Sequence, residues 1–279
     1  VEIYQILITA ILVNIPIGWV AVRNQSLRIP DGVIAAGLVG LVLMIVHPIF
    51  WLELLVFFGS SSLLTKYQEQ ESIKQDALSL AEKGGQRDSF QVIANSGLVL
   101  IVALVYASSY PLWSDQVLQD TMIFGVLSFA VVNADTWATE LGVTSREQPY
   151  SILNPTRKVA RGTSGGVSPK GLLASLGGAA VIAVSFSLLA LLWGAKSSPG
   201  LIVLITLGGL LGSLIDSLLG ATVQAQYYCP VCDKMTEKQV HAHCGGTITQ
   251  HQRGFTWFNN DLVNVTAALM SSLFCLLLI

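Results

Sequence analysis

The stretch ADTWATELG, residues 134–142, places Asp135 and Glu140 directly after the apolar run FGVLSFAVV. An ionisable side chain inside a membrane span costs about 3 kcal/mol or more at the bilayer centre, and such groups usually mark a site or a pathway. Carboxylates and amides are hard oxygen donors, which favours a divalent cation such as Mg²⁺. On a regular helix the two acids stand about 140° apart around the axis, so both reach one ion only if the helix loosens, which Gly142 would permit. Asn133, seven residues before Glu140, shares its face. The plainer alternative is that the acids cap a helix or pair with nearby arginines.

A third acid, Asp216, lies in GGLLGSLIDSLLGATVQ, where Gly209, Ser213, Asp216, Gly220 and Gln224 recur at helical spacing. The Gly and Ser residues read as a seam that lets helices approach closely. Packing does not require Asp216, which is expected to reach the same ion or nucleotide as Asp135. Between these acids runs NPTRKVARGTSGGVSPKG, in which Arg157, Lys158 and Arg161 precede Gly162, Thr163, Ser164, Gly165 and Gly166. Glycines let backbone N–H groups approach an anion, a following helix N-terminus adds positive potential, and basic side chains add charge. The loop is a candidate phosphate cradle but not a P-loop, because GxxxxGK[ST] is absent. Flexibility alone is the alternative for such a loop.

Two further segments, GGQRDSFQVIANSG (84–97) and RGFTWFNNDLVN (253–264), each combine a basic residue, a carboxylate and amides: Arg87, Asp88 and Asn95 in the first, Asn260, Asp261 and Asn264 in the second. Trp257, Asp261 and Asn264 stand at helical spacing. Capping and interfacial anchoring are the competing readings, and anchoring is preferred for Trp257. In CPVCDKMTEKQVHAHCGG the CxxC of Cys229 and Cys232, with His241, His243 and Cys244 behind it, suggests a structural zinc knuckle on Cys229, Cys232, His243 and Cys244. Ordinary reduced thiols are the alternative.

The elements that must position these groups follow from composition. Of the 279 residues 52% are hydrophobic and 11% charged, and the mean hydropathy is +0.63; soluble domains carry about 25% charged residues. An integral membrane protein is predicted: all-α, one polytopic bundle over residues 1–279, with a cytoplasmic-side loop at 225–254. Helices are expected at roughly 2–22, 31–46, 49–65, 90–109, 117–141, 170–194, 200–224 and 255–279. The first run lacks a basic start and a small-residue cleavage site and is expected to be a retained span. All but Lys196 of the 15 basic residues fall in alternate links, so the positive-inside rule places both termini on the non-cytoplasmic side. The polar groups above then gather at the basic-loop ends of their helices. No nucleic-acid partner is expected, and the bilayer is the one partner that composition implies.

Five ordered blocks, GGQRDSFQVIANSG, NADTWATELG, RGTSGGVSPKG, GSLIDSLLGATVQ and WFNNDLVN, make the chain resemble the DUF92 or transmembrane protein 19 family, whose plant members include the phytyl-phosphate kinase of vitamin E synthesis. The resemblance implies a CTP- or other nucleotide-dependent kinase that converts an isoprenyl monophosphate to its diphosphate. It places Mg²⁺ and nucleotide at Asp135, Glu140, Asp216, Arg157, Lys158 and Gly162 to Gly166, in a bacterial inner, thylakoid or plastid membrane. The CPVC segment is outside these blocks. Two other activities compete: cytidylyltransfer, which would release pyrophosphate, and ion-coupled transport, which would place acids near the midplane of helices in repeated halves.

Overall fold

The computed structural model describes residues 2–69, 86–145, 147–241 and 244–278. The expectations placed on Lys74, Lys83, Arg146 and His243 lie outside those residues. Eight helices are described: α1 (Glu2–Arg23), α2 (Asp31–Val46), α3 (Pro48–Glu69), α4 (Ser89–Ser109), α5 (Asp115–Gly142), α6 (Pro169–Trp193), α7 (Pro199–Thr222) and α8 (Asn260–Leu276). Six of them are long and apolar enough to cross a membrane, whereas α2 and α8, at 16 and 17 residues, are shorter.

Local chemistry sets the helix starts. Asp88 and Gln91 form a capping box on α4, and Ser114, Ser168, Ser198 and Asn259 cap α5, α6, α7 and α8. Each supplies an acceptor for a first-turn N–H that has no helical partner. Pro169 and Pro199 then occupy first-turn positions where no N–H is needed. The last helix starts at Asn260 rather than 255, because Gly254 takes a left-handed conformation (φ 77°) and a turn from Phe255 to Phe258 intervenes. Trp257 therefore precedes the helix and shares no face with Asp261 and Asn264; it stacks on Phe255 instead.

The longest helix, α5, is the axis of the bundle and packs against α3, α4, α6, α7 and α8. Its middle, from Met122 to Ala134, is buried on all sides, so apolar residues surround it without an amphipathic stripe. Phe57 of α3 stacks on Phe129 at 6.1 Å. The small-residue seam on α7 is a packing seam, as expected: a Cβ on Gly209 would lie 2.5 Å from Ala179 Cβ and 2.9 Å from Ala130 O. Outward faces carry exposed Leu173, Leu188, Leu191 and Leu192 on α6 and Leu12, Ile15 and Trp19 on α1, as lipid-facing surfaces do.

Asn133 belongs to this scaffold. It is fully buried, its Oδ1 accepts from Ser60 Oγ (3.2 Å) and Ser61 Oγ (3.0 Å), and its Nδ2 donates to Gly178 O at 2.8 Å. It thus ties α3, α5 and α6 together and is not part of the cavity wall below. Asn133→Ala is expected to lower stability by about 1–3 kcal/mol, because the buried Ser61 hydroxyl and Gly178 carbonyl each lose this partner. A thermal melt in detergent checks this; an unchanged midpoint would refute the tie.

Two links expected as loops contain small sheets. Between α5 and α6, β1 (Tyr150–Ser151), β2 (Asn154–Lys158) and β3 (Gly166–Val167) form a sheet in the order β2-β1-β3. Between α7 and α8, β4 (Gln226–Cys229), β5 (Lys234–Thr236) and β8 (Gln250–Arg253) pair in the order β5-β4-β8, while β6 (Val240–His241) pairs with β7 (Thr247–Ile248).

Candidate active site

A polar cavity of about 310 Å³ opens where the loop-side ends of α5, α6, α7 and α8 meet the two small-sheet links. Asp135 and Glu140 of α5, Asp216 of α7, Asn260 and Asn264 of α8, Asn95 of α4 and Arg87 all line it. So do Arg161 and the complete run Gly162, Thr163, Ser164, Gly165 and Gly166. Residues separated by up to 177 positions in the chain thus meet in one pocket.

The α5 helix stays regular through Gly142, and its two acids serve different parts of the wall. Asp135 and Glu237 are both close enough to Asp216 to act on its charge. Glu140 instead accepts from Thr65 Oγ1 at 3.1 Å and is the electrostatic partner of Arg87. The Arg87 guanidinium donates to Ser62 Oγ at 3.0 Å and lies over the rings of Phe57 and Phe58, 5.9 and 5.3 Å from their centroids. Those contacts hold a cation at a fixed point in the wall.

The glycine run is pressed against the end of α7. Gly165 has φ 80°, and a Cβ there would lie 2.9 Å from Ser217 O and also strike Ala221 Cβ, so no side chain fits. Ser164 Oγ donates to Gln224 Oε1 at 2.7 Å, while Gly166 N donates to Thr163 O at 2.9 Å. Arg253 donates to Ala221 O and Gly220 O, which helps satisfy the terminal carbonyls of α7. The N-terminus of α6 completes the wall through Ser168, Gly171, Leu172 and Ser175.

Four predicted site residues lie elsewhere. Arg157 and Lys158 are on the exposed strand β2, where Lys158 Nζ sits 5.8 Å from the Tyr150 ring centroid; of the three basic residues before the glycines, Arg161 lines the cavity and these two do not. Asp88 is the cap of α4 and lies 3.7 Å from Arg28. Asp261 is in the first turn of α8, beside the cavity but not in its wall. The wall also contains residues that sequence reasoning did not single out: Gln91, Thr136, Thr139, Ser175 and Glu237. Thr136 and Thr139 were legible in principle, since they alternate with the acids in ADTWATELG. Nothing in TEKQ distinguished Glu237.

Glu237 enters from the link between α7 and α8. Burial pushes its carboxyl above the usual range; the amides of Gln224 and Gln226 partly offset this, and the charge of Asp135 adds to it. Within the polar wall Asp216 Oδ2 and Asn264 Oδ1 are buried without a hydrogen-bond partner among the described residues, although Asn264 Nδ2 donates to Asn95 Oδ1 at 3.4 Å. An orphaned carboxylate oxygen beside two further acids is the donor set that a hard cation satisfies. The residues present therefore fit Mg²⁺.

A second cavity, of about 500 Å³, adjoins the first among α1, α2, α3 and α4. Ile11, Trp19, Val33, Gly37, Leu54 and Val92 contribute to its apolar lining, and Arg87 and Asn95 line both cavities.

A polytopic helical membrane protein with a carboxylate-rich cavity at the helix ends is thus the class that fold and site define. The chain belongs to the integral membrane protein family DUF92, whose model matches residues 12–272. It is 32% identical to Protein PGR of Arabidopsis thaliana over 95% of this chain and 93% of that protein. It is 28% identical to an uncharacterized membrane protein of Methanocaldococcus jannaschii, over 68% of this chain and 72% of that one. An uncharacterized membrane protein of Synechocystis is also 28% identical, over 63% of this chain and 64% of that one. No solved structure matches the chain.

Proposed function

We propose that the protein is a membrane-embedded kinase that transfers the γ-phosphoryl group of CTP, or of another nucleoside triphosphate, to an isoprenyl monophosphate such as phytyl or geranylgeranyl phosphate. One observation carries the reading: Arg87 and Asn95 belong to the walls of both the polar and the apolar cavity. A ligand that uses both must have an anionic head and a long apolar tail. The resemblance stated above supplies the choice of CTP and of the isoprenyl class.

In this reading the tail lies among α1 to α4 and its phosphate rests against Arg87, which Glu140 and Thr65 orient. Gly162 to Gly166, Arg161 and the N-terminus of α6 receive the nucleotide phosphates. An oxygen of the acceptor phosphate attacks the γ-phosphorus, the bond from that phosphorus to the β–γ bridging oxygen breaks, and CDP leaves with the bonding pair. Bound Mg²⁺, held by Asp135 and Asp216, would neutralise charge on the phosphates. A strong base is unnecessary, because a phosphate monoester with a second pKa near ~6 is already largely ionised at neutral pH. Positioning and charge neutralisation remain, and these dominate phosphoryl transfer. The catalysis takes place on the cytoplasmic or stromal face.

Purified protein given labelled CTP, Mg²⁺ and phytyl monophosphate is expected to yield CDP and phytyl diphosphate. Pyrophosphate release would identify a cytidylyltransferase instead, and no turnover with any nucleotide would defeat both enzymatic readings. The tail cavity has its own test. Gly37 lines it, and a Cβ there meets nothing within 4 Å. Gly37→Leu is therefore expected to fill the tail site without strain and to lower kcat/KM for a C20 acceptor about tenfold relative to a C10 acceptor, the scale expected for one or two lost methylene contacts. An unchanged ratio would place the tail elsewhere.

A further inference from the structure

The link between α7 and α8 gathers the side chains of Cys229, Cys232, His241 and Cys244. One potential ligand atom from each lies within 4.8 Å of all the others, and Cys232 Sγ is 3.4 Å from His241 Nδ1. A tetrahedral zinc with bonds of about 2.3 Å to sulfur places its sulfur ligands about 3.8 Å apart, so the cluster needs only a small contraction to close. Three thiolates and an imidazole are a structural zinc set: four protein ligands leave no open position. Among the described residues His241 supplies the imidazole; His243, which spacing had favoured, lies outside them.

The surrounding fold explains why a metal would be needed. The strands here are two to four residues long, and two left-handed glycines, Gly245 and Gly246, adjoin Cys244. So little buried apolar surface does not hold a segment rigid, and small units of this kind rely on metals or disulfides. Yet one residue of this segment has a defined place in the membrane-side cavity. Glu237 lies five residues after Cys232 and four before His241, so the cluster grips the chain on both sides of it. Thr249 Oγ1 donates to Lys238 O (2.7 Å) and Gln239 O (2.9 Å), which holds the same short stretch from the β7 side.

We propose that Cys229, Cys232, His241 and Cys244 bind a structural zinc ion whose role is to hold Glu237 in the wall of the polar cavity, where it joins Asp135 and Asp216 around the divalent cation. The zinc stands on the cluster alone; the role of Glu237 rests on the cation reading of the cavity. The device links a metal-stapled extramembrane segment to a site built mainly from helix ends.

Full-length protein in detergent is expected to contain one zinc per chain by elemental mass spectrometry, and the Cys232→Ser/Cys244→Ser double variant is expected to lose it. Cobalt-loaded wild-type protein should show tetrahedral ligand-field bands with thiolate charge transfer, a readout that needs no variant to fold. Mn²⁺ binding to the cavity, followed by electron paramagnetic resonance, should weaken about tenfold or more when the zinc is stripped with a mercurial, as when a supporting shell is lost. Glu237→Gln should weaken Mn²⁺ binding while retaining the zinc. Substoichiometric zinc, a Cys229–Cys232 disulfide, or a cobalt spectrum without thiolate bands overturns the zinc site. Mn²⁺ affinity indifferent to both zinc and Glu237→Gln overturns the positioning role. Absence of any Mn²⁺ binding by the zinc-loaded protein overturns that role together with the cation reading, and leaves the zinc count intact.

Discussion

Asp135→Asn is expected to lower turnover at least about a thousandfold, equivalent to about 4 kcal/mol of lost transition-state stabilisation, while the protein remains folded. The argument rests on what surrounds the residue. Asp135, Asp216 and Glu237 act on one another electrostatically, and Asp216 Oδ2 has no hydrogen-bond partner among the described residues. If the three acids were only structural, neutralising one would relieve repulsion and leave phosphoryl transfer untouched. If they hold a cation, the same change removes a ligand. The two cases separate in a thermal melt as well as in an assay: Mg²⁺ should raise the midpoint of the wild-type protein by mass action, and should leave Asp135→Asn nearly unmoved. Retained turnover, or an equal Mg²⁺ response in both proteins, would remove Asp135 from the site.

Arg87→Gln carries the second large effect, a loss of about 100- to 1000-fold in kcat/KM for the isoprenyl phosphate, with the KM for CTP changed by less than about twofold. A desolvated cation hydrogen-bonded to a phosphate is worth about 3–4 kcal/mol when its partner is removed. The Phe57 and Phe58 rings, Ser62 and Glu140 fix the guanidinium where the two cavities meet, so an acceptor phosphate would lose its anchor while the nucleotide kept the glycine run and Arg161. Arg87→Lys should recover only part of the loss, since an ammonium keeps the charge but not the planar pair of donors. Steady-state kinetics with each substrate varied in turn makes the check. A rise in the KM for CTP instead would move Arg87 to the nucleotide side.

Much of the framework was legible in the chain because hydropathy, caps and prolines act locally. The predicted span at 31–46 matches α2 residue for residue, and those predicted to start at 170 and 200 begin one residue earlier, at Pro169 and Pro199. The last helix was extended five residues too far because apolar Phe255 and Phe258 continued the hydropathy, while the left-handed Gly254 and the Asn259 cap decided the backbone. The site was partly legible: the acids of α5 and α7 and the glycine run meet as their shared side of the membrane suggested. Charge alone misled at Arg157 and Lys158, because a basic loop satisfies topology whether or not each side chain reaches the cavity. Asp88, grouped in the sequence with Arg87 and Asn95, has the local role of a cap, the competing reading for that segment. Glu237 was not legible, since its place depends on how a segment of short strands folds back over the helix ends, and no local pattern encodes that return.

The first helix, α1, packs chiefly on α2; its Ile11, Ile15 and Trp19 are exposed and, with Gly18 and Val22, also line the apolar cavity. The apolar cavity therefore borders the lipid-facing surface at α1. On the proposed reading, acceptor and product exchange sideways through the bilayer and need never cross water. Reaction rate would then follow the acceptor's mole fraction among the lipids rather than its amount per litre, and added inert lipid would act as a diluent at constant total concentration.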